Sequence, residues 1–269
     1  MYFWTIDYNN KKSYFIPSFH FNINLIFSED EIKKFENIIE NSDLVLFESE
    51  MKKQGYSKKY TKENKVKSQI RKIYNQSDIV NIVNKLNKVF KINLDTTDIE
   101  KKDIMTLTPG PGIGLLTGDI KLAMDYKLYN IAKNKKKDIE FLDSGKEFEK
   151  ISSDLTDQVK KMREYAVKNP FTMKNICKNI LLTKKVINSY KKVYKKHDHT
   201  KLTKKTDSHD KKLIDSRNLK WVDIIANLIH QNKSLSIVAG ANHLDLLFNN
   251  NVIDLLKKKY NIVAEYKKL

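Results

Sequence analysis

Residues 2–8 and 12–19 alternate or run apolar and aromatic on either side of Asn9-Asn10-Lys11, which predicts a β-hairpin. From Ser28 the period changes to that of a helix. Ser28-Glu-Asp-Glu31 has capping-box spacing, and Ile32, Phe35, Ile38 and Ile39 then recur a turn apart until Asn41-Ser42. Leu44-Val-Leu-Phe-Glu48 reads as a short buried strand. The far end of the chain repeats this order. Leu235–Ala239 is a strand covered on both faces, and His243 follows it within Gly240-Ala-Asn-His243. Val252–Tyr260 is a helix with Ile253, Leu255 and Leu256 on its apolar side, and Asn261-Ile-Val-Ala-Glu265-Tyr is a closing strand. Strand–histidine–helix–strand at both ends is a pseudo-repeat of pattern, with little residue identity.

Between the ends, roughly 63–230 reads as helices, over Lys65–Phe90 and over 121–134, 154–168, 171–194 and 216–231. Thr106–Gly114, with its Pro and Gly residues, reads as a loop, and Lys195–Lys212 as a second, highly charged one. Together these elements predict an α/β fold: a mostly parallel central sheet built from the N- and C-terminal strand–helix–strand segments, with a helical middle lobe. One domain covers 1–269, with 1–50 and 232–269 forming the sheet core and 63–231 mainly helical.

Composition narrows the class. A chain of 269 residues that is 40% apolar and 10% aromatic buries a sizeable core, so it is globular rather than disordered. The single Cys177 excludes an internal disulfide. No apolar run approaches the roughly 20 residues that span a bilayer. No basic segment precedes an apolar stretch at the N-terminus either, so no signal peptide is expected and the cytoplasm is the default compartment. The net charge of +18 comes from 48 Lys and only three Arg, spread over helix faces among many Asn. Sequence-reading nucleic-acid binders lean on Arg for bidentate contacts, so no nucleic-acid partner is expected. Arg scarcity makes Arg217, in Asp215-Ser-Arg-Asn218, the more informative.

The candidate chemistry gathers at the strand ends. His20 follows Tyr14-Phe-Ile-Pro-Ser-Phe, Glu48 ends the next strand and His243 follows the last buried one. Two imidazoles and a carboxylate suit a divalent cation with open positions for water and substrate. They equally suit two buried histidines bonded to backbone beside a Glu facing solvent. Arg217, read at the start of its helix, has the chemistry to bind an anion or a developing oxyanion; a core pair with Asp215 or a Glu is the plainer reading. Glu265 is offered by the pseudo-repeat as an alternative to Glu48. His197, His199, Asp207, His209 and Asp210 have metal-like types but sit in the Lys-crowded loop without apolar support. Residues 110–114 lack both the P-loop and the dinucleotide spacing. His230 and Cys177 read as core.

With these residues in view, the chain resembles the TraB/PrgY/GumN/TIKI family. That family opens with a strand and Gly-x-x-His, follows with a strand ending in Glu, and closes with a second Gly-x-x-His. His20, Glu48 and Gly240-Ala-Asn-His243 stand in those places. Ala123-Met-Asp125-Tyr-Lys-Leu128-Tyr-Asn-Ile-Ala132 is similar to the family's Gly-Leu-Asp-x-x-Phe-x-x-x-Ala, Leu142-Asp143-Ser144 to its Leu-Glu-Thr, and Arg217-Asn218 to its Arg-Asn. Pro17 and Ala123 replace glycines, and Phe148 stands where the family has Gln. The resemblance implies an α/β fold related to the erythromycin-esterase and ChaN-like group and a metal-dependent, peptidase-like hydrolase. His20, His243 and Glu48 would hold Mn, Co or Zn, with Glu48 as ligand or base. Arg217 would stabilise an anionic intermediate, and Asp125 and Asn218 would position these groups. The substrate would be a peptide or protein. The alternative is a catalytically inactive protein that captures a peptide or a haem-like ligand.

Overall fold

The computed structural model describes residues 2–19, 22–49, 67–117, 123–143, 158–196, 208–244 and 250–268. His20, Ser144 and Phe148 lie outside them, as do residues 197–207 of the charged segment.

The chain opens with β1 (Tyr2–Tyr8) and β2 (Lys11–Ser18), antiparallel across Asn9-Asn10. Both asparagines have positive φ, 45° and 62°. That is the backbone of a type I′ turn, which asparagine tolerates better than most residues. Helix α1 (Glu29–Glu40) carries the expected capping box: Glu31 N–H donates to Ser28 Oγ, and Ser28 N–H returns to Glu31 Oε2. It leads to β3 (Leu44–Phe47). Helices α2 (Ile70–Ile73) and α3 (Gln76–Phe90) follow where one long helix was expected. The break falls at Tyr74-Asn75, because Asn75 turns extended and its side chain caps Asp78 N at 2.8 Å.

After α4 (Thr96–Glu100), the stretch expected as a loop instead forms a 3-10 turn (Ile104–Leu107) and helix α5 (Pro111–Leu116). Proline is a helix breaker only inside a helix. Pro111 opens α5, where its missing N–H has no partner to lose, and Gly110 takes the positive φ of 74° just before it. Helix α6 (Met124–Asn134) then enters β4 (Asp138–Phe141), a strand inside the segment expected to be mainly helical. Helices α7 (158–168), α8 (Met173–Lys196) and α9 (Ser208–His230) complete the middle, α9 starting within the segment read as a charged loop. The end is β5 (Leu235–Gly240), a single turn α10 (Ala241–Leu244), α11 (Val252–Tyr260) and β6 (Glu265–Lys268).

The six strands form one sheet in the order β4-β3-β5-β2-β1-β6. Strands β4, β3, β5 and β2 pair in parallel, and β1 runs antiparallel to both β2 and β6. The chain from β2 to β3 therefore passes over β5, and the carboxyl ends of four strands line one edge.

Both faces of the sheet are covered: β3 is buried at every position, β5 from Leu235 to Ala239 and β2 from Phe15 to Ser18. Phe3, Ile16, Val45, Phe47 and Val238 face a core shared with α1, α3, α6 and α8. Trp4, Phe15, Leu44, Leu46, Leu235, Ile237 and Ala239 face Trp221, Val222, Ile225 and Ile229 of α9 and Leu256 of α11. So α9, from the segment expected as a helical layer or lobe, is the layer on the second face. At the far edge His230 is exposed against Tyr8, with ring centroids 5.6 Å apart, and is not the core histidine expected; Cys177 is half-buried. No helix among the described residues is long and apolar enough to cross a membrane.

Candidate functional site

Residues that follow the carboxyl ends of the parallel strands are where open α/β sheets hold their ligands. Glu48 follows β3, Asp143 follows β4, and His243 sits in the turn after β5. Arg217 projects from α9 into their midst. The sheet fixes the spacing of the two carboxylate residues: Leu142 N–H donates to Phe47 O and Asp143 N–H to Glu48 O, both at 2.8 Å, so the ladder runs on past the strand ends.

Arg217 is the hub. Its Nε donates to Asp143 Oδ1 at 3.1 Å and its Nη2 to Asp143 Oδ2 at 2.7 Å, a fork-on-fork pair. Nη2 also donates to Glu48 Oε2 at 2.8 Å, and Nη1 to His243 Nε2 at 3.1 Å. Glu48 Oε1 accepts the N–H of Gly240. A side chain at 240 would collide there, since a Cβ would fall 2.8 Å from Glu48 Oε1. Trp221, one turn beyond Arg217, stacks under the guanidinium at 4.6 Å and against His243 at 4.3 Å between ring centroids, and its Nε1 donates to Asp143 Oδ1 at 2.9 Å.

The state of His243 follows from its neighbour. Asn218 is fully buried, and its Nδ2 donates to the Asn250 carbonyl at 2.8 Å, so its amide oxygen must be the atom that meets His243 Nδ1 at 2.5 Å. Nδ1 therefore carries the proton, and Nε2 offers its lone pair towards Arg217 and Glu48. Burial, and then the positive charge of Arg217, hold the imidazole pKa down at about 4 against the opposing pull of Glu48. At neutral pH His243 is uncharged, so its 3.9 Å approach to Glu48 Oε2 is not an ion pair. Burial pulls the Arg217 pKa down, but Glu48 and Asp143 outweigh it and leave that pKa raised.

Of the residues expected at a site, Glu48, Arg217, Asn218 and His243 are brought together. Arg217 is well inside α9 rather than at a helix entrance; of the two expected partners it pairs with a Glu, Glu48, and not with Asp215, and Asp143 is added. Asp125 is buried in the first turn of α6, two residues after Ala123, whose backbone bridges Asn22 beyond the end of β2. His20 lies outside the described residues. Glu265 is remote: it begins β6 instead of ending a strand, and its exposed carboxylate pairs with Lys267 at 2.7 Å. Asp143 and Trp221 were given no role by the sequence. The one available signal for Asp143 was its place in Leu142-Asp143-Ser144.

A divalent cation does not fit the described residues as they are arranged. No group of three or more His, Cys, Asp or Glu among them is placed to hold one. His243 Nε2 and Glu48 Oε2, the atoms that would bind it, are bridged by the guanidinium of Arg217.

Fold and site together define a class: an α/β protein with a sheet covered on both faces and a buried polar centre at the carboxyl edge of its parallel strands. Within that class, the chain matches the model of the TraB/PrgY/gumN family over residues 2–263 and belongs to that family. Neither a curated protein nor a solved structure matches it.

Proposed function

We propose that the chain is a hydrolase acting on peptide bonds, with Glu48, Arg217 and His243 as its centre. The observation that carries this reading is their convergence, from two strand ends and a helix, on the edge where such sheets bind substrate. His243 Nε2 carries the lone pair of a neutral, oriented imidazole. It can accept a proton from an attacking water once that water takes the place of the Arg217 Nη1 N–H. Arg217 supplies positive charge where a tetrahedral intermediate develops its negative one. Asn218 fixes the tautomer of His243, and Glu48 anchors Arg217 from the opposite side. A cation of the Mn, Co or Zn type belongs to the family resemblance, with His20 as the further ligand; binding at His243 and Glu48 requires Arg217 to leave both.

A second reading is favoured by one feature. Arg217 is engaged by two carboxylates, and the imidazole beside it has lost most of its basicity, as in a centre that binds a peptide or haem-like ligand without turnover. A fluorogenic peptide library, run with and without Mn, Co and Zn, separates the two. Cleavage that falls about 100-fold in His243→Ala and in Glu48→Gln supports the hydrolase. Cleavage unchanged in both variants moves chemistry away from this centre, and ligand affinity with no cleavage under any metal establishes the binding protein.

A further inference from the structure

The side chain of Asp143 is 3% exposed, buried more deeply than either of its charged neighbours Arg217 and Glu48. Its two oxygens accept three hydrogen bonds, two from Arg217 and one from Trp221. Trp221 in turn touches both Arg217 and His243 with its ring face. One carboxylate thus holds the guanidinium in its plane and, through the indole, supports the imidazole next to it.

A guanidinium has five N–H bonds. In Arg217 the Nε bond and one Nη2 bond go to Asp143, the other Nη2 bond goes to Glu48, and one Nη1 bond goes to His243. The second Nη1 N–H is committed to no partner among the described residues. It lies on the nitrogen that touches the imidazole, and the Arg217 side chain keeps 18% of its surface exposed.

We propose that Asp143 is the positioning residue of this centre: with Trp221 it locks Arg217 so that the remaining Nη1 N–H, beside His243, is presented to an oxygen of the substrate. The inference rests on the hydrolase reading for what that oxygen is, a carbonyl on its way to an oxyanion, but the lock itself does not. Asp143 acts through Arg217 and need not touch substrate. Asparagine at 143 keeps the size and one acceptor but cannot face both Nε and Nη2 as a charged fork.

NMR of the arginine side-chain N–H groups reads the lock directly. In the wild type the Arg217 Nη protons should give separate, slowly exchanging signals. Acetate, the simplest carboxylate product of acyl hydrolysis, should shift an Nη1 proton. In Asp143→Asn the Nη signals should merge as the group rotates, and the acetate response should vanish. Trp221→Phe, which removes one of the three donors and keeps a ring, should speed the rotation without abolishing the response, and covers the case in which Asp143→Asn does not fold. On any substrate from the peptide screen, Asp143→Asn should lower kcat about 100-fold with a smaller change in KM. Separate Nη signals in Asp143→Asn, rotation unaltered in Trp221→Phe, or no acetate shift in the wild type would overturn the proposal. A locked and acetate-responsive Arg217 in a protein that cleaves no peptide would leave the positioning role standing and retire the hydrolase.

Discussion

Replacing Arg217 by Gln leaves the buried Asp143 and the half-buried Glu48 without the guanidinium that both hold. Removing one partner of such a group costs about 3–5 kcal/mol, more than the pair itself contributes. The urea midpoint of Arg217→Gln should fall accordingly, and Arg217→Lys should recover only part of it, because an ammonium cannot serve Nε, Nη1 and Nη2 positions at once. Gly240→Ala tests the opposite kind of fault, crowding instead of loss. Its Cβ would meet Glu48 Oε1, the acceptor of the Gly240 N–H, on a carboxylate whose other oxygen is held by Arg217, so the cost is about 1–3 kcal/mol. The same displacement should loosen Arg217 and reduce any activity of the centre. His243, Glu48 and Arg217 were legible in the sequence as reactive groups at strand ends or on a helix. So was the grouping of His243 with Glu48; the place of Arg217 as their hub was not, because the carboxylate that holds it, Asp143, lies 74 residues away in the chain and meets it only through the fold.

Among elements, those whose own residues decide their structure were read correctly. The hairpin, the capped α1 and the helix Val252–Tyr260 each carry period and caps within a few residues. Strand β4 was missed because Asp138-Ile-Glu-Phe141 is an edge strand, only half-buried at Ile139 and Phe141, following a lysine-rich helix end. Helix α5 is hidden in the sequence because Pro111 breaks a helix anywhere except at its first residue, where it stands. The split between α2 and α3 gives a local test: Asn75→Ala removes the cap on Asp78 N and should cost about 1 kcal/mol in thermal or urea unfolding. Strand β6 gives a test with the opposite expectation. Glu265→Gln should leave stability and any activity nearly unchanged, since its pair with Lys267 is solvent-exposed; a loss as large as that of Glu48→Gln would return Glu265 to the site.

At the scale of the whole molecule, the centre couples folding to pH. His243 binds a proton near 6.5 when unfolded and only near 4 when folded. As pH falls through that interval the unfolded chain takes up a proton that the native chain refuses, so the native state loses stability as pH decreases. The loss between pH 6.5 and about 4 is roughly 3 kcal/mol. The loss should be smaller in His243→Gln, by comparison of unfolding free energies at the two pH values; equal slopes would mean that the imidazole is not neutral in the folded protein. The charge of +18 does not enter this balance directly, because the buried centre owes its charges to Arg217, Glu48 and Asp143 and not to the surface lysines.

The strand order also sets a clock. The N–H of Leu235 donates to Ser13 Oγ across 222 residues of chain, and β2 has no parallel neighbour until β5 has been made. At about 5–20 residues per second of synthesis, the hairpin waits roughly 10–45 s for that partner. For that interval Phe15 and Ile16 have no β5 beside them, and the carboxyl edge that carries the centre cannot close. Ribosome-bound chains stopped short of Leu235 should therefore be cut readily by protease within β1 and β2, and chains that have released β6 should not.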